Sequence, residues 1–342
     1  MAHSSLMLTE ANEAPDAVER LFRNEAQVID MVGGWLRNRP PALVTMAARG
    51  SSDHAATFFK YLLELSTGIP VASIGPSIAS VYERPLRLHS AIHFTVSQSG
   101  ASPDIVALQA AAKAGGARTV AIVNVADSPV ARDADITILI GAGAEKSVAA
   151  TKSFLTSAAA LAAVVGAATG DTDFGAALSR LPAAMNGTGD LDMDEALEIL
   201  AASQSLFACG RGTSLGIALE AALKCKETAG LHAEAFSTAE IMHGPLRLVD
   251  EGFPIIGFLQ EDAAFENSHQ AMRRLTALGA RTITLSSRPA GDVSLVVPST
   301  GNGLIDPLVA LLPFYRLIEA VTRRKGYNPD QPQNLHKVTE TM

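Results

Sequence analysis

The chain has 342 residues, 48% of them hydrophobic, and a formal net charge of −8 at pH 7. This length suits two domains of about 150 residues each, with enough apolar material for substantial cores. The negative charge argues against nucleic acid as the main partner, because a phosphate backbone attracts basic surfaces. No basic start followed by an apolar run opens the sequence, so we expect no export signal and a cytoplasmic location.

Residues 8–40 predict a helical lead-in that ends at Pro40-Pro41. Beyond them, short β-branched segments alternate with amphipathic ones, a pattern typical of α/β domains in which helices cover both faces of a parallel sheet. The predicted strands are residues 43–47, 91–96, 119–123, 136–140, 254–259, 282–285 and 294–297. The predicted helices are residues 52–66, 104–114, 151–168, 306–324 and one that Ser214 caps and Gly230 ends. The apolar stretch 154–168 is short for a membrane span, so we expect a buried core or interface helix and no membrane partner.

Two parts of the sequence resemble each other. Residues 43–52 recur as residues 205–214, and residues 116–119 recur as residues 279–282 at nearly the same offset. A shared offset across two matches predicts that a whole domain has been duplicated. We therefore divide the chain into a lead-in (residues 1–40), a first domain (41–190), a second domain (191–325) and a tail (326–342).

The first copy carries a loop that suits an anion. Between a predicted strand and Pro103 lie four side chains that can donate hydrogen bonds: Ser97, Gln98, Ser99 and Ser102. Ligands of open α/β sheets gather outside the carboxyl ends of the strands, where helix N-termini present N–H groups to anions. Ser51 and Ser52, which we expect at the end of the neighbouring strand, add two hydroxyls.

The same loop has a plainer interpretation, because serine is also a common helix N-cap. Two serine-rich turns after successive strands favour phosphate, and so does the second copy, which has Gln260-Glu261-Asp262 instead of hydroxyls. The loop is neither a Walker motif nor a dinucleotide fingerprint. The sequence therefore predicts phosphate binding in the first domain, without a cofactor.

The second copy supplies titratable groups. Lys224 and Glu227 share one face of a predicted helix, with Glu220 one turn before Lys224. Such a run is ordinarily a charge ladder on the surface. The small apolar neighbours favour burial instead, and buried ionisable groups tend to mark sites or pairs. His243, followed by Gly244-Pro245, suits an acid/base histidine and equally a packed one.

We expect no metal site. His232, Glu234 and His243 match no common zinc spacing. Cys209 and Cys225 lie elsewhere, among small or apolar residues, and are expected to be buried free thiols.

Seven stretches together resemble the double sugar-isomerase-domain (SIS) family, best known from the isomerase half of glucosamine-6-phosphate synthase. They are residues 97–100, 148–152, 209–214, 221–227, 232–234, 243–245 and 330–335. The resemblance implies two tandem flavodoxin-like domains, a homodimer and a hexose 6-phosphate substrate.

The resemblance also implies roles for individual residues. It assigns the phosphate to Ser52, Ser97, Gln98, Ser99 and Ser102. Glu227 becomes the base that moves a proton between C1 and C2, with Lys224 beside it. His243, reaching the site from the partner subunit, opens the sugar ring, and Lys337 approaches the carbonyl carbon. Burial and Lys224 act in opposite directions on the basicity of Glu227, and the sequence leaves open which is stronger.

Three departures from the synthase bear on the reaction. No cysteine near the start could serve as a glutaminase nucleophile, Ala150 replaces a serine, and His336 replaces a small residue before Lys337. We therefore favour the stand-alone type of member that converts glucosamine 6-phosphate to fructose 6-phosphate and ammonia. The alternatives are an aldose–ketose isomerase, an aminotransferase-like enzyme without glutaminase, and a sugar-phosphate sensor without catalysis.

Overall fold

The computed structural model describes residues 4–337, which form two compact units. The first unit comprises residues 16–145 and 152–178, and the second comprises residues 4–15, 146–151 and 179–337. Each unit holds one five-stranded parallel sheet with helices around it. The predicted α/β class is confirmed.

Strands and helices alternate along most of the chain. The strands are β1 (Val44–Ala47), β2 (Val71–Ser73), β3 (Ile92–Ser97), β4 (Arg118–Val123), β5 (Ile136–Leu139), β6 (Ser205–Gly210), β7 (His232–Ser237), β8 (Pro254–Leu259), β9 (Arg281–Ser286) and β10 (Val293–Val296). The helices are α1 (Leu6–Asn12), α2 (Ala14–Asn38), α3 (Ser51–Thr67), α4 (Ser77–Ser80), α5 (Pro103–Ala114), α6 (Pro129–Asp133), α7 (Lys152–Thr169), α8 (Thr172–Asn186), α9 (Asp194–Ala201), α10 (Thr213–Glu227), α11 (Phe265–Ala277) and α12 (Asp306–Arg324). Two short 3-10 helices, Glu240–Met242 and Gly244–Leu248, follow β7.

The two sheets have the same strand order. It is β2-β1-β3-β4-β5 in the first unit and β7-β6-β8-β9-β10 in the second, the 2-1-3-4-5 order of flavodoxin-like folds. Val44 of β1 lies opposite Ile92 of β3, and Phe207 of β6 lies opposite Ile255 of β8. In each sheet the chain leaves the first strand to one side and returns on the other, so the connections diverge between the first and third strands. This topological switch point is where such sheets bind ligands.

The strand sequences explain this arrangement. All six residues of β3 and of β8 are buried, as expected for parallel strands covered on both faces. Helix α7 is long and apolar enough to cross a membrane, yet 78% of its apolar window is buried inside the protein. A Cβ on Gly33 of α2 would lie 2.4 Å from the Cβ of Ala167, so small residues let these two helices meet closely. The expectation of a buried helix at residues 151–168 is confirmed.

The elements around two predicted turns differ from our expectation. Ser51 and Ser52 do not end strand β1 but begin helix α3, after Gly50 with φ +54°. Ser214 does not cap α10, because its hydroxyl donates to the side-chain oxygen of Gln260 instead. That helix ends at Glu227, three residues before Gly230, which has φ +63°.

Strand β7 was not predicted. Its first residues alternate between exposed His232, buried Ala233 and exposed Glu234, and it lies at the edge of its sheet. This period of two is the signal of a half-buried strand, but only Ala233 marks its buried side. In the sequence, His232 and Glu234 stand out only as candidate metal ligands, which their spacing does not favour.

Candidate active site

The switch point of the first unit is framed by the loops that follow β1 and β3. These strands are direct parallel neighbours, so the loop 48–50 with the start of α3 and the loop 98–102 with the start of α5 leave the same edge of the sheet. The predicted phosphate-binding side chains are Ser97, the last residue of β3, and five on these two segments: Ser51, Ser52, Gln98, Ser99 and Ser102. Their placement after adjacent strands fits the sequence prediction.

The loop after β3 has a tightly defined backbone. The hydroxyl oxygen of Ser97 accepts a hydrogen bond from the Gly100 N–H at 3.1 Å, and that of Ser99 accepts one from the Ala101 N–H at 3.4 Å. Gly100 has φ +60°, and a Cβ there would lie 2.3 Å from the hydroxyl of Ser128. Only glycine therefore fits this turn.

Ser102 holds the N-cap position of α5 without acting as a cap. Its backbone is extended, with φ −60° and ψ 123°, but its side chain makes no capping hydrogen bond. The plain N-cap interpretation is thus wrong for this serine. A capping hydroxyl would already be engaged with the helix, whereas the Ser102 hydroxyl is half-buried beside the first turn and suited to a ligand.

An ion pair ties the two loops together. Arg49 Nε lies 2.8 Å from Asp104 Oδ2, and a second guanidinium nitrogen also contacts this carboxylate. Asp104 is buried in the first turn of α5, whereas half of the Arg49 side chain is exposed. Burial raises the pKa of Asp53, in the first turn of α3, although His54 and Arg49 act against it. A carboxyl that is more easily protonated repels an anion less.

The titratable cluster of the second unit lies on α10. The Lys224 ammonium is fully buried, 3.4 Å from Glu220 Oε1, and it also contacts Glu227 Oε2. Burial alone would lower the pKa of Lys224, but the charges of Glu220 and Glu227 outweigh it and raise that pKa above its usual value. The surface-ladder interpretation is therefore wrong: Lys224 stays charged in the interior because two carboxylates hold it.

Glu227 is the member of this cluster that lines a cleft. It is the last residue of α10, and 25% of its side chain is exposed. The cleft has a volume of about 480 Å³, the size of small-molecule sites. Its lining is rich in side-chain amides and comprises Lys226, Glu227, Thr228, Gly230, Gly326, Tyr327, Asn328, Gln331, Pro332, Gln333 and Asn334. Amides donate and accept hydrogen bonds, which suits a neutral polyhydroxyl ligand.

The tail that lines this cleft is anchored inside the second unit. The two carboxylate oxygens of Asp330 accept hydrogen bonds from the N–H groups of Leu6 and Met7, at 2.9 and 2.8 Å. The Asp330 carbonyl accepts one from the Val148 N–H at 3.5 Å. Two of the stretches singled out in the sequence, residues 148–152 and 330–335, thus begin side by side. Lys337 is half-buried at the end of the described chain.

His243 lies apart from these contacts. It is exposed between the two 3-10 helices, its N–H donates to the Glu240 carbonyl, and its own carbonyl accepts from the Leu246 N–H. The packed interpretation of this histidine is wrong, because its ring is on the surface. Its predicted action on the site of a partner subunit stays a prediction.

The described residues 4–337 contain no group of three or more His, Cys, Asp and Glu side chains placed to hold a metal ion. His232 and Glu234 are both exposed on β7. Cys209 and Cys225 are free and buried, as expected. Burial raises the pKa of both thiols to about 12, so neither is a thiolate at neutral pH.

A model of the SIS domain matches residues 43–167 and 199–295 of this sequence, one segment on each sheet. These matches cover more than half of the chain. The chain belongs to the SIS-domain family.

Similar SIS proteins carry several names. The glutamine–fructose-6-phosphate aminotransferase of Thermococcus kodakarensis is 32% identical over 349 residues, and the match covers 97% of this chain but 57% of that enzyme. A crystal structure described as a candidate phosphosugar isomerase, from Silicibacter pomeroyi, is 43% identical with a TM-score of 0.89, covering 96% of this chain and 100% of that one. Glucosamine-6-phosphate deaminase of Thermotoga maritima has a TM-score of 0.76 at 22% identity, covering 98% and 100%, and therefore supports the fold alone.

Some contacts around the α10 cluster and the two switch points could not be predicted from the sequence. Tyr315 donates from its hydroxyl to Glu220 Oε1 at 3.1 Å, across 95 positions of sequence, and no local pattern signals such a contact. The pair of Arg49 and Asp104 is equally non-local. Gln260 was noted only as part of an acidic segment, yet it bonds to both Ser214 and the Arg211 carbonyl.

Proposed function

We propose that this SIS protein is an amino-hexose phosphate deaminase/isomerase that converts glucosamine 6-phosphate to fructose 6-phosphate and ammonia. The observation that carries the proposal is Glu227, a carboxylate held by buried Lys224 at the edge of an amide-lined cleft. Proton transfer between sugar carbons requires a base that is held in position and accessible to the sugar.

In this proposal the substrate phosphate binds to the first unit. Its ligands are the hydroxyls of Ser51, Ser52, Ser97, Ser99 and Ser102 and the amide of Gln98. The rigid turn at Gly100 supports the assignment, because a preorganised loop loses little entropy when it binds. Binding energy at the phosphate, remote from the reacting carbons, serves to orient them.

The proposed chemistry is a proton shuttle followed by hydrolysis. In the open-chain sugar, Glu227 removes the proton from C2, and a proton returns to C1. The double bond moves from the C1 aldehyde to a C2–N imine. Water then adds to C2, the C–N bond breaks, and ammonia leaves with a proton, which gives fructose 6-phosphate. Lys224 holds the carboxylate in place throughout.

Two further residues and the oligomeric state complete the proposal. His243 opens the sugar ring by giving a proton to the ring oxygen, since histidine exchanges protons near neutral pH. Its surface position supports action on a second copy of the chain, so we propose a homodimer. Lys337 approaches the carbonyl carbon. A location in the cytoplasm fits two reduced, buried cysteines.

An aldose–ketose isomerase acting on a phosphosugar without nitrogen is the second candidate. Glu227 and Lys224 would serve it equally, because that reaction also moves one proton between C1 and C2. An aminotransferase-like enzyme that uses free ammonia is the same reaction in reverse. A sensor without catalysis would need the serine loop but not Glu227.

The test is incubation with glucosamine 6-phosphate while ammonia and fructose 6-phosphate are followed together. Equal amounts of both support the deaminase. Ketose from glucose 6-phosphate, with no ammonia from either glucosamine or galactosamine 6-phosphate, would assign the isomerase instead. Thermal stabilisation by all of these sugars without any product would identify a sensor and overturn the proposal.

A further inference from the structure

The N-terminus of helix α1 holds the tail that lines the cleft. Leu6 and Met7 are the first two residues of this helix, and their N–H groups donate to the two carboxylate oxygens of Asp330 at 2.9 and 2.8 Å. N–H groups at this position have no partner within a helix, and the partial positive charge of a helix N-terminus favours a carboxylate. Asp330 thus docks the tail on α1 with two charge-assisted hydrogen bonds.

Helix α1 is itself fixed within the second unit. The hydroxyl of Ser5 accepts from the Leu8 N–H at 3.1 Å and donates to Glu319 Oε1 of α12 at 2.7 Å. Glu319 is buried, and so is the side chain of Met7. Asp330 therefore binds to an element that is held at its first turn by both a cap and the core of the unit.

The residues next to Asp330 face two ways. Pro329 and Pro332 are buried. The exposed residues carry side-chain amides and line the cleft: Gln331, Gln333 and Asn334. Asp330 also donates from its N–H to Asn328 Oδ1 at 3.0 Å, which closes a turn before the prolines and amides. Because proline has a fixed φ, this segment is stiff, and the position of Asp330 determines where the amides lie.

We infer that Asp330 is a positioning residue that keeps the amides of the tail in the arrangement that binds the sugar. This inference rests on the proposed function, in which the cleft beside Glu227 takes the carbon chain of a sugar phosphate. A tail that is already ordered loses little conformational entropy on binding. If a fraction of the molecules has an ordered tail, the apparent dissociation constant rises by the inverse of that fraction.

The first test is Asp330→Ala, which removes both hydrogen bonds to α1. We expect KM for glucosamine 6-phosphate to rise about tenfold, the effect of a tail that is in place in one molecule of ten. The value of kcat should change little, because saturating substrate orders the tail. Inhibition by inorganic phosphate should keep its wild-type Ki, since the proposed phosphate ligands lie in the first unit. An equal rise in this Ki, or a wild-type KM, would overturn the inference.

Asp292→Ala is the matched control. The Asp292 carboxylate also anchors a loop, because its Oδ2 accepts from the Thr282 N–H at 3.0 Å and from the hydroxyls of Thr282 and Thr276. This loop, residues 287–292, lies outside the lining of the cleft. The variant should lose stability in urea and keep the wild-type KM. An equal rise in KM for both variants would assign the effect to general loss of stability and refute the inference.

The second test removes one donor from α1. Leu6→Pro deletes the N–H that bonds to Asp330 Oδ2. Proline suits the first position of a helix, Ser5 already has the extended backbone that precedes proline, and the Leu6 side chain is 45% exposed. Helix α1 should therefore persist, and KM should rise about threefold, the effect of one lost hydrogen bond. Leu6→Ala keeps the N–H and should keep the wild-type KM. Equal KM values for Leu6→Pro and Leu6→Ala would contradict the role of the contact.

Hydrogen exchange separates this inference from the proposed function, because it needs no substrate. Peptides covering residues 326–337 should exchange faster in Asp330→Ala and Leu6→Pro than in the wild type and Leu6→Ala. The double variant should exchange no faster than Asp330→Ala, since both changes break the same contact. If no sugar phosphate is turned over, the proposed function fails, while this exchange pattern still supports the ordering of the tail by Asp330.

Unchanged exchange in Asp330→Ala, or an additive increase in the double variant, would refute the inference even in an active enzyme. If Asp330→Ala does not fold, the comparison of Leu6→Pro with Leu6→Ala decides both measurements. Faster exchange and a higher KM in Leu6→Pro then support the inference, and wild-type values of both refute it.

Discussion

The switch points of the two units share a backbone conformation but differ in the side chains that occupy them. Gly50 and Gly212 precede α3 and α10 with nearly identical angles, φ +54° and ψ −131° against φ +60° and ψ −131°. In the first unit the following strand ends in a serine-rich loop that leads directly into α5. In the second, the Gln260 side chain accepts from the Ser214 hydroxyl and donates to the Arg211 carbonyl at 2.6 Å.

In the proposed function, this difference gives each of the two units its own task. The cavity at the second switch point is about 10 Å³, room for a single water molecule. From the sequence we attributed the loss of anion binding there to repulsion by Glu261 and Asp262. Occupation by the Gln260 side chain is the more direct explanation, because its oxygen accepts from the Ser214 hydroxyl, a donor that a phosphate would need. The second unit offers instead the charged cluster at the other end of α10.

The largest expected effect comes from replacing Glu227, the proposed base, and it tests the proposed division of roles between the two units. Glu227→Gln should lower kcat about 1000-fold, within the range of general acid–base catalysis, because an amide cannot accept the proton. Affinity for sugar phosphate should remain, since the proposed phosphate ligands lie in the first unit. Turnover by ammonia release and binding by calorimetry provide the two readouts.

Glu251→Gln is the control for that change, because Glu251 is exposed in the turn before β8. It should leave both turnover and binding unchanged. Near-normal turnover of folded Glu227→Gln would remove Glu227 from the mechanism. A parallel loss of binding would contradict the division between the units.

A second prediction concerns stability to acid, in which the two sheets differ. His93 is fully buried on β3, 2.8 Å from the Thr45 hydroxyl, and burial lowers its pKa to about 4; β8 has no titratable side chain at all. Unfolding restores the ordinary value near 6.5, so the unfolded chain takes up the proton first. Stability is therefore complete above pH 6.5 and is lost as the pH falls toward 4, by roughly 3 kcal/mol.

Hydrogen exchange at pH 7.5 and pH 5 measures this loss in each sheet. Peptides of β3 should lose protection at pH 5 more than peptides of β8. His93→Asn, which can still bond to Thr45 but does not titrate, should remove the difference. Equal loss in both sheets, or no change in the variant, would contradict the role of His93.

Most of the fold could be predicted from sequence. Parallel strands are continuous apolar runs, and β8 begins and ends at the predicted residues. The same is true of helix α12. The edge strand β7 could not, since only Ala233 of its first three residues is buried. Glu227 and Lys224 stood out as neighbours on one helix, and burial later distinguished them from a surface pair. Tyr315 and Gln260 escaped notice because their contacts join distant parts of the chain, which spacing does not encode.

A third prediction addresses the serine loop itself. Ser99→Ala removes a half-buried hydroxyl whose bond from the Ala101 N–H is long, at 3.4 Å, so the turn at Gly100 should survive. Loss of one hydrogen bond to a charged phosphate should raise KM about 10- to 100-fold with little change in kcat. Steady-state kinetics measure both constants, and an unchanged KM would place the phosphate elsewhere.

The smallest effect is expected for the corresponding hydroxyl of the second unit. Ser214→Ala leaves the buried Gln260 side-chain oxygen without its donor, which should lower the free energy of unfolding by about 1 kcal/mol and leave KM unchanged. Replacing Gln260 by Leu in the same chain also removes the donor to the Arg211 carbonyl, so the free energy of unfolding should fall further than in Ser214→Ala alone. For both variants, urea unfolding measures the free energy of unfolding and steady-state kinetics measure KM. If Ser214→Ala instead raised KM as Ser99→Ala does, the second switch point would also hold substrate, and the two units would not differ in the way their side chains indicate.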